Sequence, residues 1–145
     1  MARPMNRCAS RLAALVLPLS SGLVGLGGCH GHQGPEDAFR AFTLASLAHQ
    51  GDAAWALLSH DSQAAMTEAT QQAVAQAPKG AVPTDPKAFL FGEDAQLARP
   101  VTEIKLLDAT DKLAHLQVTT AEGAHPVTLV YEDGWKLDLT DGLKF

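Results

Sequence analysis

The chain has 145 residues, with 11 basic against 16 acidic side chains and a net charge of −5 at neutral pH. Its basic residues form no patch, since Lys79, Lys87, Arg99 and Lys105 are scattered along the sequence. An acidic surface of this kind repels nucleic acid and anionic lipid headgroups, which excludes nucleic acid as a partner.

The first 28 residues have the layout of an export signal. Arg3, Arg7 and Arg11 precede an apolar stretch at 12–26, which Pro18 interrupts and small residues follow. A positive start, a short apolar stretch and a small-residue exit are typical of a secretory signal peptide. A transmembrane helix needs about 20 apolar residues, and this stretch is shorter and broken.

The segment Leu26-Gly27-Gly28-Cys29 resembles a lipobox, the site at which bacterial lipoproteins are cut and lipidated. The resemblance implies cleavage before Cys29 and fatty acylation of that residue, which anchors the chain to a membrane. Because His30 and not Asp follows Cys29, known sorting patterns favour the outer membrane, facing the periplasm. The alternative is ordinary signal cleavage near Gly28, which leaves Cys29 free.

Three segments follow: a signal peptide at 1–28, a lipidated tether at 29–35, and a single α+β domain at 36–145. The chain has only two cysteines. Cys8 leaves with the signal and Cys29 takes the lipid, so no disulfide is expected. The mature chain has 145 − 28 = 117 residues, with 11 − 3 = 8 basic residues against 16 acidic ones, hence a net charge of −8.

Helical patterns occupy the first half of the domain. The first helix is predicted between Pro35 and Gly51, with His49 in its last turn, and Asp52 is predicted to cap a short second helix. The apolar arc of the first helix is predicted from 100° spacing to contain Ala38, Ala41, Phe42, Leu44, Ala45 and Ala48.

Two further helices are predicted before residue 100. Asp61 or Ser62 is expected to cap a third helix that runs to Ala77. Asp85-Pro86 is expected to open a fourth helix that ends at Gly92. The stripe of the third helix is predicted to consist of small or flexible residues, namely Ala65, Met66, Ala69, Ala73 and Ala77.

From Val101 the apolar period becomes two, which predicts four half-buried antiparallel strands joined by short turns. The alternation of the strand would turn Asp108 inward, but Asp108 lies near a turn. We therefore predict that it stabilises the turn together with Asp111. The inner face is predicted to hold Ile104, Leu106, Leu116, Val118, Val127, Leu129, Tyr131, Trp135, Leu137 and Leu139. The outer face is predicted to hold Val101, Glu103, Lys105, Leu107, Leu113, His115, Gln117 and Thr119.

The register of the last hairpin follows from its apolar residues. A two-residue Asp133-Gly134 turn would pair Glu132 with Trp135 and place a carboxylate on the inner face. A three-residue loop instead pairs Tyr131 with Trp135, and by extension Leu129 with Leu137 and Val127 with Leu139. Burial favours this second register, and it requires a positive φ at Gly134.

Helices followed by a four-stranded meander resemble the nuclear-transport-factor-two-like superfamily, and most of all its small bacterial lipoproteins without an assigned role. The residues that carry the resemblance are Ala38-Phe39-Arg40-Ala41-Phe42, Gly51-Asp52-Ala53-Ala54-Trp55 and Asp133-Gly134-Trp135-Lys136, within about 35–139. The resemblance implies a cone, with helices packed on a curved four-stranded sheet over an apolar pocket. Members include isomerases, dehydratases and non-catalytic binding domains, so the fold alone assigns no function.

The predicted ligand-binding residues are His49, Trp55, Tyr131 and Trp135. On the inner face only Tyr131 is polar, with His125 at the start of its strand, and no inward carboxylate is paired there. We therefore expect a non-catalytic domain that binds a small apolar ligand or an envelope protein. The alternative is an isomerase or dehydratase-like enzyme that uses Tyr131 and His49.

We expect neither a cofactor nor a metal. His30 and His32 lie on the tether, and no residues at fixed spacing join them to His49 or His60 as metal ligands. For His49 itself there is a second interpretation beside the pocket, because a histidine at a helix C-terminus is favoured by the helix dipole.

Overall fold

The computed structural model describes residues 34–95 and 99–140. The predicted signal peptide, Cys29, His30 and His32 lie outside the described residues. Within the described ranges, no helix combines the length and the apolar character needed to cross a membrane.

The described residues form four helices and then four strands, as the change of period predicted. The helices are α1 (Pro35–Leu47), α2 (Gly51–Ala56), α3 (His60–Gln76) and α4 (Pro86–Phe91). The strands are β1 (Val101–Ala109), β2 (Leu113–Thr120), β3 (Gly123–Tyr131) and β4 (Trp135–Asp138). They form one antiparallel sheet in the order β1-β2-β3-β4, which confirms the predicted α+β class and meander.

Of the predicted helix caps, only that of α4 is correct. The Asp85 carboxylate accepts a hydrogen bond from the Lys87 amide at 3.1 Å. For α3, the N-cap is Ser59 and neither Asp61 nor Ser62, because the Ser59 hydroxyl accepts the Ser62 amide at 3.1 Å. Asp52 lies inside the first turn of α2 and caps nothing, since α2 has no side-chain cap hydrogen bond.

The buried face of α1 agrees only in part with the predicted arc, of which Ala38, Phe42 and Ala45 are buried. Phe39, Phe42 and Ser46 are buried, whereas Leu44 is 65% exposed. The Phe42 ring lies edge-on to Phe91, with centroids 6.1 Å apart, and 6.4 Å from the Phe39 ring. Because burying a second phenylalanine removes more apolar area from water than burying a leucine, the helix turns toward Phe39.

The last hairpin has the predicted three-residue register. Tyr131 lies opposite Trp135 and Leu129 opposite Leu137, and Gly134 has a φ of +147°. The predicted pairing of Val127 with Leu139 falls beyond β4, which ends at Asp138.

Two irregularities in β1 overturn the predicted parity at both ends of that strand. The register shifts between Val101 and Glu103, and again between Leu106 and Asp108. Val101 therefore lies opposite the buried Thr120, on the inner face, and Asp108 lies opposite His115, on the outer face. A bulge inserts one unpaired residue, after which the alternation of faces restarts out of phase.

The free edge of β4 is covered by the segment at 57–59. The Ser59 amide donates to the Leu137 carbonyl at 2.9 Å, and the Leu137 amide donates to the Leu57 carbonyl at 2.8 Å. The Ser62 hydroxyl accepts the Leu139 amide at 2.7 Å from a fully buried position. These contacts satisfy polar backbone groups that an edge strand otherwise exposes, and they attach α3 to the sheet.

Candidate functional site

A groove of about 360 Å³ runs between α1 and β1. One side of the groove is formed by α1, from residues at helical spacing on the face next to the buried one. The other side is formed by residues 100–104. The lining residues are Arg40, Thr43, Leu44, Leu47, Pro100, Val101, Thr102, Glu103 and Ile104. The groove is a consequence of the orientation of α1, because turning Phe39 into the core leaves Leu44 and Leu47 beside β1.

Two exposed leucines, Leu44 and Leu47, line this groove, and two more lie further along β1. Leu47 is 42% exposed on α1, and on β1 Leu106 and Leu107 are 38% and 52% exposed. Elsewhere in the described ranges, only Leu113 and Tyr131 are large, apolar and exposed. Exposed apolar side chains that line a groove are typical of sites of ligand or protein binding.

Arg40 and Glu103 are both lining residues, but the alternation of β1 places the Glu103 side chain on the outer face of the sheet, opposite to that of Ile104. Neither Arg40 nor Glu103 forms an ion pair with any described residue. The Arg40 cation is therefore available to a molecule that enters the groove.

His49 lies in a second, more polar groove of about 250 Å³. It lies two residues beyond Leu47, where α1 ends, with a φ of +54°, and its Nδ1 lies 3.3 Å from the Phe91 carbonyl oxygen. Its side chain is exposed, and it lies just past the C-terminus of α1 and not in the last turn, where it was predicted. The groove is also lined by Gly51, Asp52, Asp85, Lys87, Ala88, Phe91 and Gly92.

An ion pair between Asp52 and Lys87 lies at the rim of this second groove. The hydrogen bond from the Lys87 ammonium, together with its charge, lowers the pKa of the Asp52 carboxyl. The same hydrogen bond and charge raise the pKa of Lys87. The ion pair connects α2 to α4, which is a structural role.

The predicted aromatic residues are only partly brought together. Tyr131 and Trp135 form an edge-on ring pair with centroids 5.4 Å apart, and Tyr131 remains 41% exposed. Trp55 is half-buried on α2 and, like Trp135, packs against the core. No hydrogen bond joins His49 to Tyr131, so the contact that the enzyme alternative requires is not formed.

One polar pair was missed from the sequence. His115 Nδ1 lies 2.7 Å from an Asp108 carboxylate oxygen on the outer sheet face. The bulge in β1 creates this pairing, and no residue type near it signals a bulge. In the described ranges, no group of three or more His, Cys, Asp or Glu side chains is arranged to hold a metal ion.

Comparisons with protein-family models, curated proteins and solved structures give no match to this chain.

Proposed function

We propose that this protein is a membrane-anchored envelope lipoprotein whose domain binds a small apolar ligand without catalysing a reaction on it. The observation that carries the proposal is the groove between α1 and β1. Its volume of about 360 Å³ lies in the range of about 300–1,000 Å³ typical of small-molecule sites. Leu44, Leu47 and Ile104 supply apolar walls, and Arg40 supplies a cation for a polar end group.

The order of the elements is consistent with the nuclear-transport-factor-two-like resemblance, which forms part of this proposal together with its cone. The ligand site proposed here lies at the open edge of the sheet. The ring pair of Tyr131 and Trp135 lies outside this site. We propose it as a second region of ligand contact.

Anchoring is proposed through the acylated Cys29, with the domain on the periplasmic side of the outer membrane. Replacing Cys29→Ser is expected to release the protein from the membrane fraction or to leave it unprocessed. If the variant still fractionates with membranes at its mature mass, the anchor lies elsewhere in the chain.

Ligand binding is tested by native mass spectrometry of the lipidated protein purified from its own envelope. The wild type is expected to retain a small apolar molecule, and the double variant Leu44→Gln, Leu47→Gln is expected to lose it. Leu113→Gln is the matched control, because Leu113 is also an exposed leucine but does not line the groove. Retention of the same molecule by the double variant would contradict the proposal.

A further inference from the structure

The two edges of the sheet are treated differently by the fold. The β4 edge is covered by residues 57–59 through backbone hydrogen bonds. β1 pairs only with β2, so within the described residues its other side is an open edge. Between the two register shifts, residues 103–106 keep a regular alternation opposite β2. An open, regular edge is a template for pairing with another strand.

The charges on this edge indicate which strand fits it. Glu103 and Lys105 lie on the same face of β1, on either side of Ile104, and neither forms an ion pair with a described residue. Two copies of β1 that pair antiparallel about a twofold axis place one residue opposite its own copy. Centring the pair on Ile104 brings Glu103 of each copy opposite Lys105 of the other.

Neighbouring registers do not achieve this. Centring on Glu103 places two carboxylates opposite each other, and centring on Lys105 places two ammonium groups opposite each other. Like charges directly across an antiparallel pair are destabilising, and opposite charges are favourable. The charge pattern of β1 therefore selects one register of self-pairing.

We infer that two copies of this chain join their sheets along β1, in the register centred on Ile104, and that each copy closes the α1–β1 groove of the other. The twofold axis is perpendicular to the sheet, because residues opposite each other in an antiparallel pair share a face. Both α1 helices then lie on the same side, over the junction. Leu44 and Leu47 of the two copies meet across the axis, which covers the apolar surface that one copy leaves exposed.

The first test is the size of the membrane-extracted lipoprotein, measured by analytical ultracentrifugation in a mild detergent. The wild type is expected to be a dimer. Each of Glu103→Lys and Lys105→Glu creates two like-charge contacts and is expected to raise the dimer dissociation constant at least tenfold. The double variant with both changes exchanges the charges and is expected to restore the dimer, whereas Lys79→Glu, on a distant loop, is expected to have no effect.

A second test does not depend on charge. Cysteine at position 104 lies next to its own copy across the axis, within the reach of a disulfide. Ile104→Cys is therefore expected to form a disulfide-linked dimer under mild oxidation. Leu106→Cys places the two thiols about four residues, or about 13 Å, apart along the strands and is expected not to crosslink.

A monomeric wild type, a dimer indifferent to both charge reversals, or equal crosslinking at positions 104 and 106 would overturn the inference. The inferred dimer rests on the proposed function only for the reason why the groove should be covered. The dimer and the ligand site can therefore be tested separately. A monomer that retains an apolar ligand refutes the dimer and leaves the proposed function intact. A dimer that passes both tests but carries no ligand supports the edge pairing and refutes the proposed function.

Discussion

Replacing Ser62→Ala is expected to destabilise the fold more than a serine deletion normally does. Its hydroxyl oxygen accepts hydrogen bonds from the Leu139 amide and from the Ser59 hydroxyl, each at 2.7 Å, and Ser62 is fully buried. A buried amide left without an acceptor costs about 1–3 kcal/mol. The higher helix propensity of alanine returns about 0.5 kcal/mol. We expect a net loss of about 1.5 kcal/mol in the free energy of unfolding.

Urea unfolding of the chain that starts at His30 measures this loss. With a denaturant slope of about 2 kcal/mol per molar, the midpoint is expected to fall by about 0.75 M. Thr67→Ala is the control, because the Thr67 hydroxyl only donates to the Gln63 carbonyl within α3, and its removal strands no buried donor. If both variants lower the midpoint equally, the Ser62 hydroxyl does not fasten α3 to the sheet and the reasoning fails.

Three further predictions concern the hairpin, α1 and an ion pair. Gly134→Val is expected to cost at least about 1 kcal/mol in urea unfolding, because a β-branched residue is strained at positive φ; an unchanged midpoint would contradict the observed turn. Phe39→Ala is expected to lower the free energy of unfolding by about 3–5 kcal/mol, whereas Leu44→Ala is expected to lower it by less than about 0.5 kcal/mol. The reverse order would support the arc predicted from the sequence. Asp52→Asn is expected to reduce stability slightly at neutral pH. The lowered pKa of Asp52 makes its contribution present above the usual 3.8 and lost as pH falls through the folded-state pKa. The raised pKa of Lys87 makes its contribution present below the usual 10.5 and lost as pH rises through the folded-state pKa. A wild-type advantage that persists in strong acid would rule out the ion pair as its source.

The last hairpin was predictable because its evidence is local. The alternation of large apolar residues on both sides of Gly134 leaves one register that buries them together, and a slip of one residue would expose the whole set. The same reasoning failed on β1, where Val101 and Asp108 have the opposite face to that predicted. The alternation of side chains between the two faces predicts burial only while the strand is regular. Neither bulge contains a glycine or proline that would indicate it in the sequence.

The candidate site lies where local evidence and tertiary packing disagree. On α1, the predicted arc and the observed buried face share Ala38, Phe42 and Ala45, so helical spacing alone does not decide whether Leu44 or Phe39 joins them. The choice is made by packing against the rest of the core, in which Phe39 is 3% exposed while Leu44 is left 65% exposed. Once Phe39 and Phe42 face inward, Leu44 and Leu47 must lie beside β1, which is the strand whose bulges also escaped prediction. The groove is thus the joint product of two features that depend on contacts between distant segments. For this reason it was missed, while His49 and the aromatic residues, which stand out in the sequence by type, were chosen instead.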